Sequence, residues 1–82
     1  MRKVGDTVKI KSKEWIDAQP KDSAGDIDMH GIYFVTDMFK HAGREAKITK
    51  VTMYKNVQYY EIDIDEDGYD WSPEMFEDAP NA

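Results

Sequence analysis

Eighty-two residues (9.5 kDa) without a cysteine exclude disulfide staples and Cys-ligated zinc, so the chain folds on a hydrophobic core near the lower size limit for doing so. Two Trp, five Tyr and three Phe within 40% hydrophobic residues supply that core. The net charge of −6 is unevenly spread: residues 1–55 hold all 11 Lys and Arg beside eight acids, and residues 56–82 hold nine acids and no base.

The chain order reads as short strands and turns. Thr7-Val8-Lys9-Ile10-Lys11 alternates, with Val8 and Ile10 inward, after a Gly5-Asp6 turn. Ser12 is placed to cap one helical turn carrying Trp15 and Ile16. Residues 17–31 lack a sustained period and read as the longest and most mobile loop, with Ile27 and Met29 turned inward. Ile32–Val35 is strand-like. Val35, Met38, Phe39 and Ala42 then share one face of a two-turn α-helix over about 36–42, closed by Gly43 in the left-handed conformation. His41, in its last turn, reads as a favourable C-terminal cation.

Residues 44–51 alternate again, Ala46 and Ile48 inward; 51–54 extend the strand or bend it through a bulge. Gln58–Ile64 is the third strand, with Tyr60, Ile62 and Ile64 inward and Tyr59, Glu61 and Asp63 outward. Asp65-Glu66-Asp67-Gly68 reads as a hairpin turn into a short fourth strand at 69–71. Ser72-Pro73-Glu74 opens a helical turn over about 73–77, with Ser72 as its cap, and 78–82 is a frayed tail. The sum is one mainly β domain over 1–82: a small, SH3-like, partly open barrel.

Several blocks carry a family likeness. They are Val4–Trp15, Tyr33–Met38, Ala42–Ile48, Tyr60–Asp65 and Trp71–Phe76. Together they resemble a family of small bacterial, phage and prophage proteins whose function is uncharacterised. The resemblance implies an SH3-like barrel and a mobile-element setting, and implies no activity. A broader likeness to SH3-like and KOW-type barrels rests on Gly5-Asp6-Thr7-Val8 and Gly43–Ile48. The proline-rich-peptide site of SH3 domains does not carry over, because no ALYDY-like run with a paired Trp is present. KOW modules that bind RNA tend to be basic, and this chain is acidic.

Candidate chemistry is sparse. Asp63-Ile64-Asp65-Glu66-Asp67-Gly68, then Glu74, fits a calcium-loop pattern and makes Asp63, Asp65, Asp67 and Glu74 candidate metal ligands. The context argues for an acidic turn instead: an alternating strand precedes it, and Pro73 stands where an exit helix would already be running. No Ser has a nucleophile-elbow context, the two histidines lack paired-ligand spacing, and no glycine-rich phosphate loop occurs. The expectation is a non-enzyme without a cofactor. The better lead is a surface of aromatics and carboxylates. Tyr59, Glu61, Asp63, Asp65, Asp67, Tyr69 and Asp70 are the candidate contacts to a protein partner with a basic surface. The simpler reading of the acid run is a solvated face that keeps a small domain soluble. A variant of the first reading has the acid ladder mimic nucleic acid.

Nucleic acid itself is an unfavoured partner, since carboxylates repel phosphates. No apolar run approaches the roughly 20 residues of a membrane span, and no apolar stretch follows the charged start. A cytoplasmic protein without a membrane partner is therefore expected.

Overall fold

Alternating side chains build the main sheet. The computed structural model describes residues 2–29 and 32–77. Strand β1 (Thr7–Lys9) pairs antiparallel with β4 (Glu45–Tyr54), which pairs antiparallel with β5 (Val57–Ile62), in the order β1-β4-β5. Val8 lies opposite Ala46 and Ile48 opposite Ile62, and all four are buried. The register shifts between Ile48 and Lys50. This bulge moves the inward parity from even to odd positions, so Val51 is half-buried and Thr52 exposed. Lys55 and Asn56 form the tight β4–β5 turn, with φ of +50° and +66°, the left-handed pair that matches strand twist in two-residue hairpins.

A second sheet joins β2 (Ile27–Asp28) to β3 (Tyr33–Phe34), with Ile27 opposite Phe34. The two sheets do not close into a barrel, and the fold is mainly β. Between β1 and β2, helix α1 (Lys13–Ala18) starts at Ser12, whose hydroxyl accepts the Trp15 N–H at 3.1 Å.

The segment expected as a loop over 17–31 is thus partly built into α1 and β2. Its middle is a turn organised by Asp22, whose Oδ1 accepts the N–H groups of Ala24 and Asp26 at 2.9 and 3.0 Å. Ile27 and Met29 do point inward. His30, Gly31 and the expected tail 78–82 lie outside the described residues.

Two 3-10 helices complete the elements of the described residues, Thr36–His41 and Pro73–Met75. The first stands where the spacing predicts an α-helix. Its bonds run three residues back, Met38 N–H to the Val35 carbonyl at 2.8 Å and Ala42 N–H to Phe39 at 3.0 Å. A period of three stacks Met38 and His41 on one face, and both are buried. His41 is therefore a core residue rather than an exposed cation. Gly43 follows at φ +75°, as expected of a helix-ending glycine.

The core centres on Trp71, Phe34, Phe76, Ile10 and Met75, each essentially inaccessible. Phe34 meets Phe39 and Trp71 edge-on at 5.2 and 5.6 Å, and Trp71 stacks on Phe76 at 6.1 Å. The expected fourth strand reduces to one antiparallel bridge, Tyr60 with Trp71, closed by bonds of 2.9 and 2.8 Å. A second bridge, Ile10 with Phe76, ties the C-terminal segment to the end of β1. Ser72 precedes the second 3-10 helix, yet its hydroxyl does not cap it. That oxygen is buried and has no hydrogen-bond partner among the described residues, and the Ser72 N–H instead meets the Met75 sulfur at 3.4 Å.

Candidate functional site

The acidic turn is organised by Asp65. Its Oδ1 accepts the Asp67 N–H at 3.1 Å, and its Oδ2 accepts the Tyr69 N–H at 3.0 Å and the Trp71 indole N–H at 2.8 Å. With 8% of its surface exposed, Asp65 faces the core. A carboxylate at the head of a turn that accepts an N–H two residues on replaces a strand ladder with an Asx turn, which is why the chain leaves Gly68 without a paired fourth strand. Gly68, at φ +74°, supplies the left-handed residue this path requires.

The other carboxylates are dispersed. Asp63 Oδ1 accepts the Lys47 N–H at 3.0 Å and extends the β4–β5 ladder by one step. Asp67 lies 3.6 Å from the Lys40 ammonium, and Glu61 lies 3.9 Å from that of Lys50. Glu74 is exposed on the second 3-10 helix and already has an interaction of its own. Asp63, Asp65, Asp67 and Glu74 therefore do not converge, and among the described residues no three His, Asp or Glu side chains are grouped to hold a metal ion. The calcium-loop pattern is met in sequence and not in space. Asp65, expected as a surface contact, is corrected to a buried organiser of the turn.

The aromatic candidates separate in the same way. Tyr69 is tethered: its hydroxyl donates to Asp37 Oδ2 at 3.2 Å, and that bond raises the phenol above its ordinary pKa. Tyr59 is differently placed. The β4–β5 register sets Thr52 opposite Tyr59 and Tyr54 opposite Val57, so these four share one face of the hairpin.

Two concavities meet at Tyr59 and Ile32. One, of about 350 Å³, is lined by Ile32, Thr52, Tyr54, Tyr59 and Asp70. The other, of about 240 Å³, runs past Val57 to Met29, Ser72, Pro73 and Glu74. Tyr54 and Val57 are exposed at 60% and 41%. Asp70 is exposed at one end and makes no ion pair among the described residues. Of the seven expected contacts, the structure brings Tyr59 and Asp70 together. Glu61, Asp63 and Asp67 stay on the flank with partners within the chain.

Sequence reasoning missed Ile32, Val57 and Thr52 as parts of this groove. The register that unites them depends on the bulge after Ile48, which the sequence offers as one alternative for 51–54 without fixing which side chains then share a face.

The fold and groove together define a small mainly β chain with an open aromatic surface. Compared with protein-family models, with curated proteins and with solved structures, the chain shows no match. Among the described residues, no helix is long and apolar enough to cross a membrane.

Proposed function

We propose that the chain is a non-catalytic, SH3-like protein-interaction module. Its groove around Tyr59 takes an extended segment of a basic protein partner. The observation that supports this reading is the pairing of a half-buried tyrosine, shared by two adjoining concavities, with an exposed carboxylate at the groove's end, Asp70, which makes no ion pair among the described residues. Tyrosines anchor interfaces because they bring large, stiff apolar area with a polar tip, and a rim carboxylate steers a cationic partner. The resemblance to small bacterial and phage proteins with SH3-like barrels points the same way, toward a mobile-element setting, and a cytoplasmic location belongs to the same proposal. The acidic ladder needed for nucleic-acid mimicry loses its centre with Asp65 turned inward, so that variant is not carried forward.

A titration of labelled protein with a capped Lys-Trp-Lys-Leu-Lys peptide tests the proposal. Amide shifts are expected at Ile32, Tyr54, Tyr59 and Asp70, with Tyr59→Ala weakening binding about tenfold or more and raised salt weakening it further. Shifts scattered over the acidic flank, or equal affinity in Tyr59→Ala, would refute the groove.

A further inference from the structure

The C-terminal segment covers the outer edges of β1 and β5. The Glu77 N–H donates to the Lys9 carbonyl at 2.7 Å and the Lys11 N–H to that of Met75 at 3.0 Å, while Tyr60 exchanges bonds of 2.9 and 2.8 Å with Trp71. The distal half of β4 is treated differently. β1 pairs with β4 at 45–47, and Asp6 and Gly5 carry the contact to Ile48. Beyond the bulge, β4 has β5 on one side and, among the described residues, no backbone partner on the other.

The register fixes which groups face this open edge. Residues flanking a two-residue turn form a hydrogen-bonded pair, and bonded pairs alternate with non-bonded ones. Tyr54 and Val57, then Thr52 and Tyr59, are therefore the bonded pairs, and Val51 and Met53 turn their N–H and C=O groups away from β5. Tyr60 sets the same phase: it lies opposite Val51 and directs both its groups to Trp71. An unpaired strand edge is a template for another strand, and native edges are commonly blunted by charge or proline. Val51-Thr52-Met53-Tyr54 carries neither, and Met53 and Tyr54 are exposed at 55% and 60%.

The edge is complementary to itself. Two copies related by a two-fold axis at Thr52 would set Val51 of each against Met53 of the other, so every outward N–H and C=O of both residues gains a partner. An axis at Val51 would instead set Met53 against Thr49 in the bulge, and an axis at Met53 would set Val51 against Lys55 in the turn; the ladder is broken at both places. Side chains agree with the Thr52 axis. On one face Val51 meets Met53. On the other, Lys50, which lies 3.9 Å from Glu61, falls opposite Tyr54, whose ring already holds the Lys55 ammonium at 5.4 Å. Lys55 falls opposite Thr49. No like charges face each other across this axis.

We propose that this edge pairs with the same edge of a second copy of the chain, antiparallel about Thr52, joining two three-stranded sheets into one. The proposal rests on the strand edge and stands without the tyrosine groove on the sheet's face.

Sedimentation at moderate salt tests the association. A short strand edge buries little area, so the dimer is weak; the average mass is expected to rise from 9.5 kDa toward twice that between about 10 μM and 1 mM. The absence of cysteine makes the register testable as well. Across the axis the two Thr52 Cα atoms come to about 4.5 Å, within disulfide reach, whereas the two Lys50 Cα atoms stand about 13 Å apart along the strands. Under mild oxidation Thr52→Cys is expected to form a covalent dimer at least about tenfold faster than Lys50→Cys. Met53→Pro removes an outward N–H and leaves the ladder to β5 in place, and Thr52→Lys sets like charges on the axis. Each is expected to weaken the dimer about tenfold or more, with circular dichroism reporting that the variant is folded. A mass that stays at that of one chain up to about 1 mM overturns the proposal. So does equal cross-linking of the two cysteine variants, or an undiminished dimer in folded Thr52→Lys.

Discussion

Asp65→Ala removes one carboxylate and three hydrogen bonds, and the structure assigns each a different weight. The Asp67 and Tyr69 N–H groups lie in a surface turn and can turn to water, so their loss falls at the low end of the range for bonds to a charged acceptor. The Trp71 indole N–H is wholly buried and its bond is the shortest of the three, at 2.8 Å. Leaving such a donor unpartnered costs about 1–3 kcal/mol by itself. The total is roughly 3 kcal/mol, against a stability of about 4–12 kcal/mol for a domain of this size.

The assay is urea unfolding followed by tryptophan fluorescence. The midpoint is expected to fall sharply with an unchanged slope. Asp67→Ala is the control. Among the described residues its exposed carboxylate pairs with Lys40 alone, at 3.6 Å, so the change is expected to stay within about 0.5 kcal/mol. If Asp65→Ala were no more costly than Asp67→Ala, the role of Asp65 as the turn's buried organiser would be wrong.

Two further predictions concern the core and the hairpin. Burial lowers the pKa of His41 below its ordinary 6.5, with Lys40 and Arg44 acting in the same direction and Asp65 and Asp67 opposing; neither ring nitrogen has a hydrogen-bond partner among the described residues. The unfolded chain therefore takes up the proton first as pH falls. The stability contributed by neutral His41 is present above about pH 6.5 and is lost as pH drops from there toward the folded value. His41→Leu is expected to flatten the stability slope between about pH 7 and 5, and identical slopes in the two proteins would contradict the assignment. At the β4–β5 turn, Lys55→Asn with Asn56→Gly places the preferred residues at positive φ. The gain is expected at up to about 1 kcal/mol, read as a Tm rise of roughly 4–8 °C per kcal/mol, and an unchanged or lower Tm would argue against a left-handed pair there.

What was legible in the sequence is what short-range alternation encodes. Val8 with Ile10, Ala46 with Ile48, and Tyr60 with Ile62 all point inward as their parity requires, and Ser12 and Gly43 act at the helix ends as their chemistry suggests. The failures share a cause: each depends on how a turn closes. Val35, Met38, Phe39 and Ala42 satisfy a 3.6 period, but the segment closes with i to i+3 bonds, and His41 is carried inward by the tighter winding. Asp67-Gly68 signals a hairpin, but the Asp65 carboxylate takes up the N–H groups at which a ladder would begin. The clue was present in an Asp two residues ahead of the turn's centre. Of the candidate site, Tyr59 was readable as an outward-facing residue and Asp70 as a candidate contact. Their neighbours Ile32, Thr52 and Val57 were not, because a one-residue register shift decides which side chains share a face.

The central claim is that the groove at Tyr59 recognises a basic polypeptide. The most direct measurement is selection of a displayed random-peptide library in parallel on the native protein and on Tyr59→Ala, with circular dichroism showing that both are folded. The account predicts enrichment of Lys- and Arg-bearing peptides with an apolar residue on the native protein, and their loss on Tyr59→Ala. Enrichment of the same peptides on both proteins, or of none on the native one, would contradict it.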